Sequence, residues 1–147
     1  YLCGLLHNFG HLILGHVFPP QFSLINRHIE VNPHINRSLI EKHLIGLTRE
    51  QVSSLLMQQW NMPEEVIISL RSQHNPNYEG DHSTYANLLY IAVRSLRTRG
   101  FGDGPWEEPC HEVLERLGLS TEAVNNVTES LLEKADDLTE LIQMLNK

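Results

Sequence analysis

Apolar side chains recur along this chain at steps of three and four residues, the spacing of one face of an α-helix, and strand-like alternation is almost absent. The first stripe runs from Leu2 to His16 and is ended by Pro19 and Pro20. Most of the segments that follow open with a residue that favours a helix N-terminus. These further helices are predicted to start at Pro20, Asn32, Thr48, Pro63, Ser83 and Cys110. The pattern predicts an all-α, multi-helix bundle.

Two of these helix starts carry a specific signal. Thr48 and Gln51 have the spacing of a capping box, in which each side chain hydrogen-bonds to the backbone N–H of the other residue. Asn32, followed by Pro33, is predicted to be the N-cap of a helix that Gly46 ends.

The last predicted helix runs from Thr121 to Asn146 and contains no glycine or proline. Its apolar stripe is longer than a bundle of this size can cover completely. Two interpretations remain open: a long amphipathic helix laid on the bundle, or a helix that pairs with another copy or leads to a further domain. The second interpretation places an interaction surface on Leu138, Ile142 and Leu145.

Composition and charge restrict the class of protein. With 41% apolar and 20% charged residues in a length of 147, the chain is typical of one globular domain. The net charge is −7 and no dense run of Lys or Arg occurs, so we expect no nucleic-acid partner. No apolar window approaches the roughly 20 residues of a membrane span. Cys3 and Cys110 have no metal-ligand spacing, and a reduced, cytoplasmic setting fits best.

Histidine is the residue type with the most potential for chemistry, because nine occur. His7 and His11 are spaced i and i+4, which puts two imidazoles on one helical face where they could share a metal ion. Such pairs more often hydrogen-bond to other groups, so the pair alone does not indicate a metal site. No Ser/His/Asp set and no glycine-rich loop between a strand and a helix can be placed.

An ordered set of short segments resembles a known family. Residues 4–12 (GLLHNFGHL) are similar to the Gly-Leu-Leu-His-Asp-Ile-Gly-Lys segment of the HD superfamily of metal-dependent phosphohydrolases. The residues that then follow in the order of the HDOD domain, the HD-related output domain of bacterial signalling proteins, are Glu41, Gly46, Val52, Leu55, Leu56, Trp60, Pro63, Val66, Gln73 and His74. The resemblance implies an all-helical fold. It also implies that residues 1–147 are the C-terminal part of one HDOD-like domain, whose upstream half is missing from this sequence.

The departures from the family pattern concern the metal ligands that the resemblance implies. His7 is present, but Asn8 stands at the aspartate of the His-Asp doublet, and the later aspartate falls at Val93. The middle histidine corresponds to Arg49, a cation that would repel a metal ion. Of a paired His-His only His74 remains. We therefore expect no bound metal and no cofactor at this degenerate, vestigial site, whose residues are His7, Asn8, His11, Arg49 and His74.

The resemblance, taken with its departures from the family pattern, implies a non-catalytic, regulatory output or adaptor module of bacterial signal transduction. It would act through contacts with a protein partner or with a copy of itself, under an upstream sensory or regulatory domain. The alternative is a metal-dependent phosphohydrolase acting on a nucleotide or cyclic dinucleotide. A small-ligand sensor that uses the vestigial cleft also remains open. Arg49 could receive a phosphate or carboxylate, or could be solvated in the first turn of its helix.

Overall fold

Helices make up the regular structure, and no strand occurs among the residues described here. The computed structural model describes residues 1–102 and 107–145, with side chains described up to residue 135. The predicted all-α fold class is confirmed. In chain order the helices are α1 (Leu2–Leu6), α2 (Phe9–Val17), α3 (Pro19–Val31), α4 (Arg37–Ile45), α5 (Arg49–Gln59), α6 (Glu64–Ser72), α7 (Ser83–Arg97), α8 (His111–Arg116) and α9 (Thr121–Leu145).

Residues 1–89 form one compact unit, in which α5 packs against both α6 and α2. Helix α3 contacts α2 and α4, and α1 contacts α6. Burial of each large apolar side chain stabilises such a unit by about 1.5–3 kcal/mol. The buried apolar residues of helices α2 to α6 are Leu14, Ile25, Ile40, Met57, Val66 and Leu70.

Residues 90–147 form a second compact unit. Its core consists of Tyr90 and Ile91 from the C-terminal part of α7, together with Val113 and Leu114 of α8. Val124, in the first turn of α9, is partly buried against this cluster. The start of α9 is therefore attached to the end of α7 and to α8.

The capping box predicted at Thr48 and Gln51 is confirmed, and a second N-cap side chain lies at the start of α9. The hydroxyl of Thr48 accepts a hydrogen bond from the N–H of Gln51 at 3.3 Å, and the Gln51 side chain accepts one from the N–H of Thr48 at 2.9 Å. At the start of α9, the hydroxyl of Ser120 accepts a hydrogen bond from the N–H of Ala123 at 3.1 Å. Each bond satisfies an N–H group that has no partner within its own helix.

The first stripe is not one continuous helix, because a break at His7 and Asn8 separates α1 from α2. At this break the N–H of His11 donates a hydrogen bond to the carbonyl of Asn8 at 3.1 Å. The carbonyl of His7 accepts a hydrogen bond from Nε2 of Gln73 at 3.0 Å, and Gln73 is only 2% exposed. A buried amide thus satisfies a backbone carbonyl at the break.

The predicted N-cap at Asn32 is wrong, since α4 begins at Arg37. The side chain of Asn36 caps this helix by accepting a hydrogen bond from the N–H of Ser38 at 2.8 Å. Asn32 donates from its side-chain amide to the carbonyl of His28, at 2.9 Å, and so satisfies the end of α3. The same side chain chemistry serves either end of a helix, and only the backbone decides which.

Helix α9 spans Thr121–Leu145, and the predicted last residue, Asn146, lies outside the described residues. The side chains of Leu138, Ile142 and Leu145, predicted as an interaction surface, also lie outside the described residues. Within the described part of the chain, no helix combines the length and the apolar character that crossing a membrane requires.

The close contact between α2 and α5 predicts a strict requirement for glycine at position 10. A Cβ on Gly10 would collide with the carbonyl oxygen of Arg49 and come within 2.7 Å of the hydroxyl of Ser53. We expect Gly10→Ala to lower the free energy of unfolding by about 3 kcal/mol or more in urea denaturation, because the two helices must separate. Gly4→Ala is the matched control, since nothing lies within 4 Å of its added Cβ. Equal stabilities of the two variants would contradict this prediction.

Candidate functional site

All five residues predicted for the vestigial site lie in the first unit, at helix ends or on α2. His7 and Asn8 form the break before α2, His11 lies in its first turn, Arg49 begins α5, and His74 follows α6. Two of these side chains, His11 and Arg49, are in direct contact. His74 contacts Glu50 instead, and the side chain of Asn8 makes no capping hydrogen bond to α2.

Gly10 determines how His11 reaches Arg49. Its N–H donates a hydrogen bond to the hydroxyl of Ser53 at 2.6 Å, and both residues are buried between α2 and α5. Because no side chain separates the two backbones here, the neighbouring His11 lies beside the first residue of α5. Nδ1 of His11 is 2.7 Å from Nη1 of Arg49.

Glu41 holds Arg49 from the other side. Its carboxylate is fully buried and accepts a hydrogen bond from Nε of Arg49 at 2.6 Å and another from the backbone N–H of Arg49 at 3.0 Å. A buried carboxylate requires such charge-assisted bonds, because an unpaired charge in the protein interior costs several kcal/mol. Arg49, at 6% exposure, is therefore not a solvated first-turn arginine.

A second ion pair, between Arg37 and Glu50, lies next to the pair of Glu41 with Arg49. Arg37 on α4 donates a hydrogen bond from Nη2 to the carboxylate of Glu50, and Nε2 of His74 lies 3.3 Å from the same oxygen. Nε of Arg37 also lies 3.5 Å from Glu41. The two pairs therefore form one alternating series of charged and polar side chains that connects α2, α4, α5 and the end of α6. We call it the ion-pair network; its members are His11, Arg49, Glu41, Arg37, Glu50 and His74.

Sequence reasoning missed two members of this network, Arg37 and Glu50, and assigned no role to Glu41 beyond its place in the family pattern. Arg37 and Glu41 are spaced i and i+4 on α4, a signal that predicts an ion pair. Glu50 gives no comparable signal, since an acidic residue in the first turn of a helix is favoured by the helix dipole wherever it occurs.

The hydrogen bonds of His7 and His11 limit the lone pairs that these two rings could offer to a metal ion. Arginine has no acceptor, so Nδ1 of His11 accepts the hydrogen bond from Arg49 and the proton of the neutral ring is on Nε2. Neither nitrogen of His11 then has a free lone pair. Nδ1 of His7 donates a hydrogen bond to the carbonyl of Gly4 at 2.7 Å. In this tautomer only Nε2 of His7 has a lone pair that could bind a metal ion.

The residues present do not fit the metal ion that the HD superfamily implies. Within residues 1–102 and 107–135, no three His, Cys, Asp or Glu side chains lie close enough together to hold a metal ion. The carboxylate of Glu41 is hydrogen-bonded to the guanidinium of Arg49. The side-chain amide of Asn8 is neutral and would not balance the charge of a metal ion. Val93, where the resemblance expects an aspartate, is a partly buried residue of α7.

An open groove of about 520 Å³ lies elsewhere in the first unit, along the end of α5 and the exposed side of α6. No residue of the ion-pair network lines it. The residues that line it are Gln58, Met62, Glu64, Ile67, Ile68, Arg71, Ser72 and Tyr78.

Comparison with known proteins agrees with this architecture. The family model of the HDOD domain matches residues 1–76, more than half of the chain. The chain belongs to the HDOD family. The resemblance predicted from the sequence is thereby confirmed.

Two relatives extend the comparison. A crystal structure of a protein from Marinobacter aquaeolei VT8, provisionally described as a signal transduction protein, matches the whole chain with a TM-score of 0.85 and 44% identity. An uncharacterized protein of Treponema pallidum (strain Nichols) is 24% identical over 136 residues, which is 92% of this chain. The HDOD chain described here spans 32% of the Marinobacter chain and 26% of the Treponema protein.

The surroundings of Glu50 in the network displace the pKa of its carboxyl group. Burial by itself would raise the pKa of this carboxyl group, but the hydrogen bond from His74 and the positive charge of Arg37 outweigh burial. Together they lower the pKa of Glu50 from 4.5 to about 2. The charged form is therefore the one that the fold stabilises.

This lowered pKa predicts an acid-sensitive contribution to stability. The contribution is complete above pH 4.5, the ordinary pKa of the group, and is lost as the pH falls toward about 2. We expect Glu50→Gln to remove about 3 kcal/mol of this pH dependence, measured by urea unfolding at several pH values. Glu30→Gln, on the exposed side of α3, is the control and keeps the dependence. Parallel curves for wild type and Glu50→Gln would contradict the assignment.

The pairing of Glu41 with Arg49 predicts strong coupling between the two positions. Arg49→Met leaves a buried carboxylate without its main partner and should cost about 3–5 kcal/mol of unfolding free energy. Glu41→Leu with Arg49→Met should cost less than the two single variants added together, by about 2–3 kcal/mol. A double-mutant cycle in urea measures this coupling, and additive losses would show that the pair is not energetically linked.

Proposed function

We propose that this HDOD chain is a non-catalytic output or adaptor module of signal transduction, acting through protein contacts. The observation that carries the proposal is the engagement of Arg49, which pairs with Glu41 at 2.6 Å and donates to His11 at 2.7 Å. Arg49, at the position where the family pattern has a histidine, thus connects α5 to α4 and α2.

The alternative, a metal-dependent phosphohydrolase acting on a nucleotide or cyclic dinucleotide, lacks its chemical basis in these residues. Such hydrolysis uses a metal ion as a Lewis acid that binds a water molecule and lowers its pKa. A guanidinium has only N–H donors and no open coordination position, so Arg49 cannot perform this step. The same contacts of Arg49 weigh against its use as a receptor for an external phosphate.

A module without chemistry of its own transmits information by binding. The Marinobacter relative is described as a signal transduction protein, which supports a signalling role for the matching segment. Both relatives are at least three times as long as this chain, so they have room for a sensory or regulatory domain. We propose that the chain is part of a cytoplasmic signalling protein, with another protein or a second copy as its partner.

Metal analysis tests the proposal directly. After dialysis against micromolar iron, manganese or zinc, we expect the protein to retain less than about 0.1 equivalent of metal, because too few ligands are available. We also expect no hydrolysis of cyclic dinucleotides, with any of these metals, above the rate of His7→Ala. One or two equivalents of metal that His7→Ala loses and the exposed control His16→Ala keeps would overturn the proposal. Metal-dependent hydrolysis with the same dependence on His7 would overturn it independently.

A further inference from the structure

The apolar stripe of α9 is the surface of this chain with the most support as a binding surface. The start of this helix is attached, since Val124 packs on the core of its unit and Thr128 is only 6% exposed. Nη2 of Arg99 also donates to Asn125 at 2.9 Å. One turn later the stripe is open to solvent, with Leu131 at 56% exposure. The helix continues to Leu145 and carries its apolar pattern with it.

The spacing of this stripe is that of a coiled coil. Its residues alternate between steps of four and three, so they occupy positions a and d of a heptad repeat. Position d holds the larger side chains and position a holds smaller ones until the last heptad. The a and d residues, in order, are Val124, Thr128, Leu131, Ala135, Leu138, Ile142 and Leu145.

The charges of α9 decide which partner fits. The helix carries six carboxylates and one lysine, and in this register every carboxylate falls at position b, c or f, away from the seam. The e and g positions, which flank the seam and contact the partner helix, contain no acidic residue. The e residues are Asn125, Leu132 and Thr139, and the g residues are Val127, Lys134 and Leu141.

A carboxylate-free flank has different consequences for different partners. A basic partner helix would gain from carboxylates at e and g, so their absence there gives it no advantage. A second copy of α9 carries the same net charge of −5 and could not pair if carboxylates faced one another across the seam. We infer that α9 pairs with α9 of a second copy of this chain. The inference rests on the proposed function and specifies the contact through which the module acts.

Sedimentation velocity of the full chain at about 100 µM tests this pairing. The concentration is high because an open stripe of only two heptads is expected to pair weakly. Wild type is expected to be a dimer. Lys134→Glu with Thr139→Glu puts like charges on both flanks and should raise the dimer dissociation constant at least about 10-fold at low salt, with partial recovery in about 0.5 M NaCl. The matched control changes the charge equally at positions f, c and b, and should remain dimeric; it carries Asn126→Glu, Ser130→Glu and Gln143→Glu.

A charge swap completes the experiment. Thr139→Lys gives a copy with basic flanks, and mixing it with the Lys134→Glu, Thr139→Glu copy should restore dimers that neither variant forms alone at that concentration. A monomeric wild type, an unchanged flank variant, or a control that dissociates equally would overturn the inference. Circular dichroism of each variant shows that it has folded. A monomer that binds no metal leaves the non-catalytic function standing, whereas metal-dependent hydrolysis overturns that function whatever the sedimentation result.

Discussion

The buried carboxylate of Glu41 is the group around which the first unit is arranged. A charge without solvent must be paired, or several kcal/mol of stability are lost. Two hydrogen bonds from Arg49, one from its backbone and one from its guanidinium, fix α4 against the start of α5. Because Arg49 also reaches His11, and because Gly10 lets α2 lie against the same turn, one charge determines the relative positions of three helices. Glu50 extends the constraint to the end of α6 through His74.

This constraint has a consequence for function. A metal ion can be absent, exchanged or replaced, so a fold that depends on one responds to its supply. A guanidinium is part of the chain and is charged at every physiological pH, so Arg49 gives the interior one permanent arrangement. A guanidinium is not a Lewis acid, so Arg49 does not supply the chemistry of a metal ion at this position. Under the proposed function, information enters and leaves through the surface, by way of contacts made by the outer helices.

The features that could be predicted from the sequence are those that depend on a few adjacent residues. The capping box of Thr48 with Gln51 is local, and so is the stop at Gly46. The break at His7 could not be predicted, because the amide that accommodates it belongs to Gln73, far along the chain. Arg49 shows both cases: its type was enough to predict that the metal ligands are degenerate, but its partners lie on α4 and α2 and emerge only from the fold.

Carboxylates in the two units follow one physical rule, although their surroundings differ. Glu41 and Glu50 are buried, and each is matched by an arginine. In the heptad register of the α9 sequence, by contrast, the acidic residues fall at positions b, c and f, outside the a and d positions. A net charge of −7, of which α9 carries −5, therefore does not describe the surface that a partner would meet. Overall acidity argues against binding to nucleic acid, since phosphates respond to the long-range field. Helix pairing responds to the charges that flank the seam, and there this acidic chain is nearly neutral.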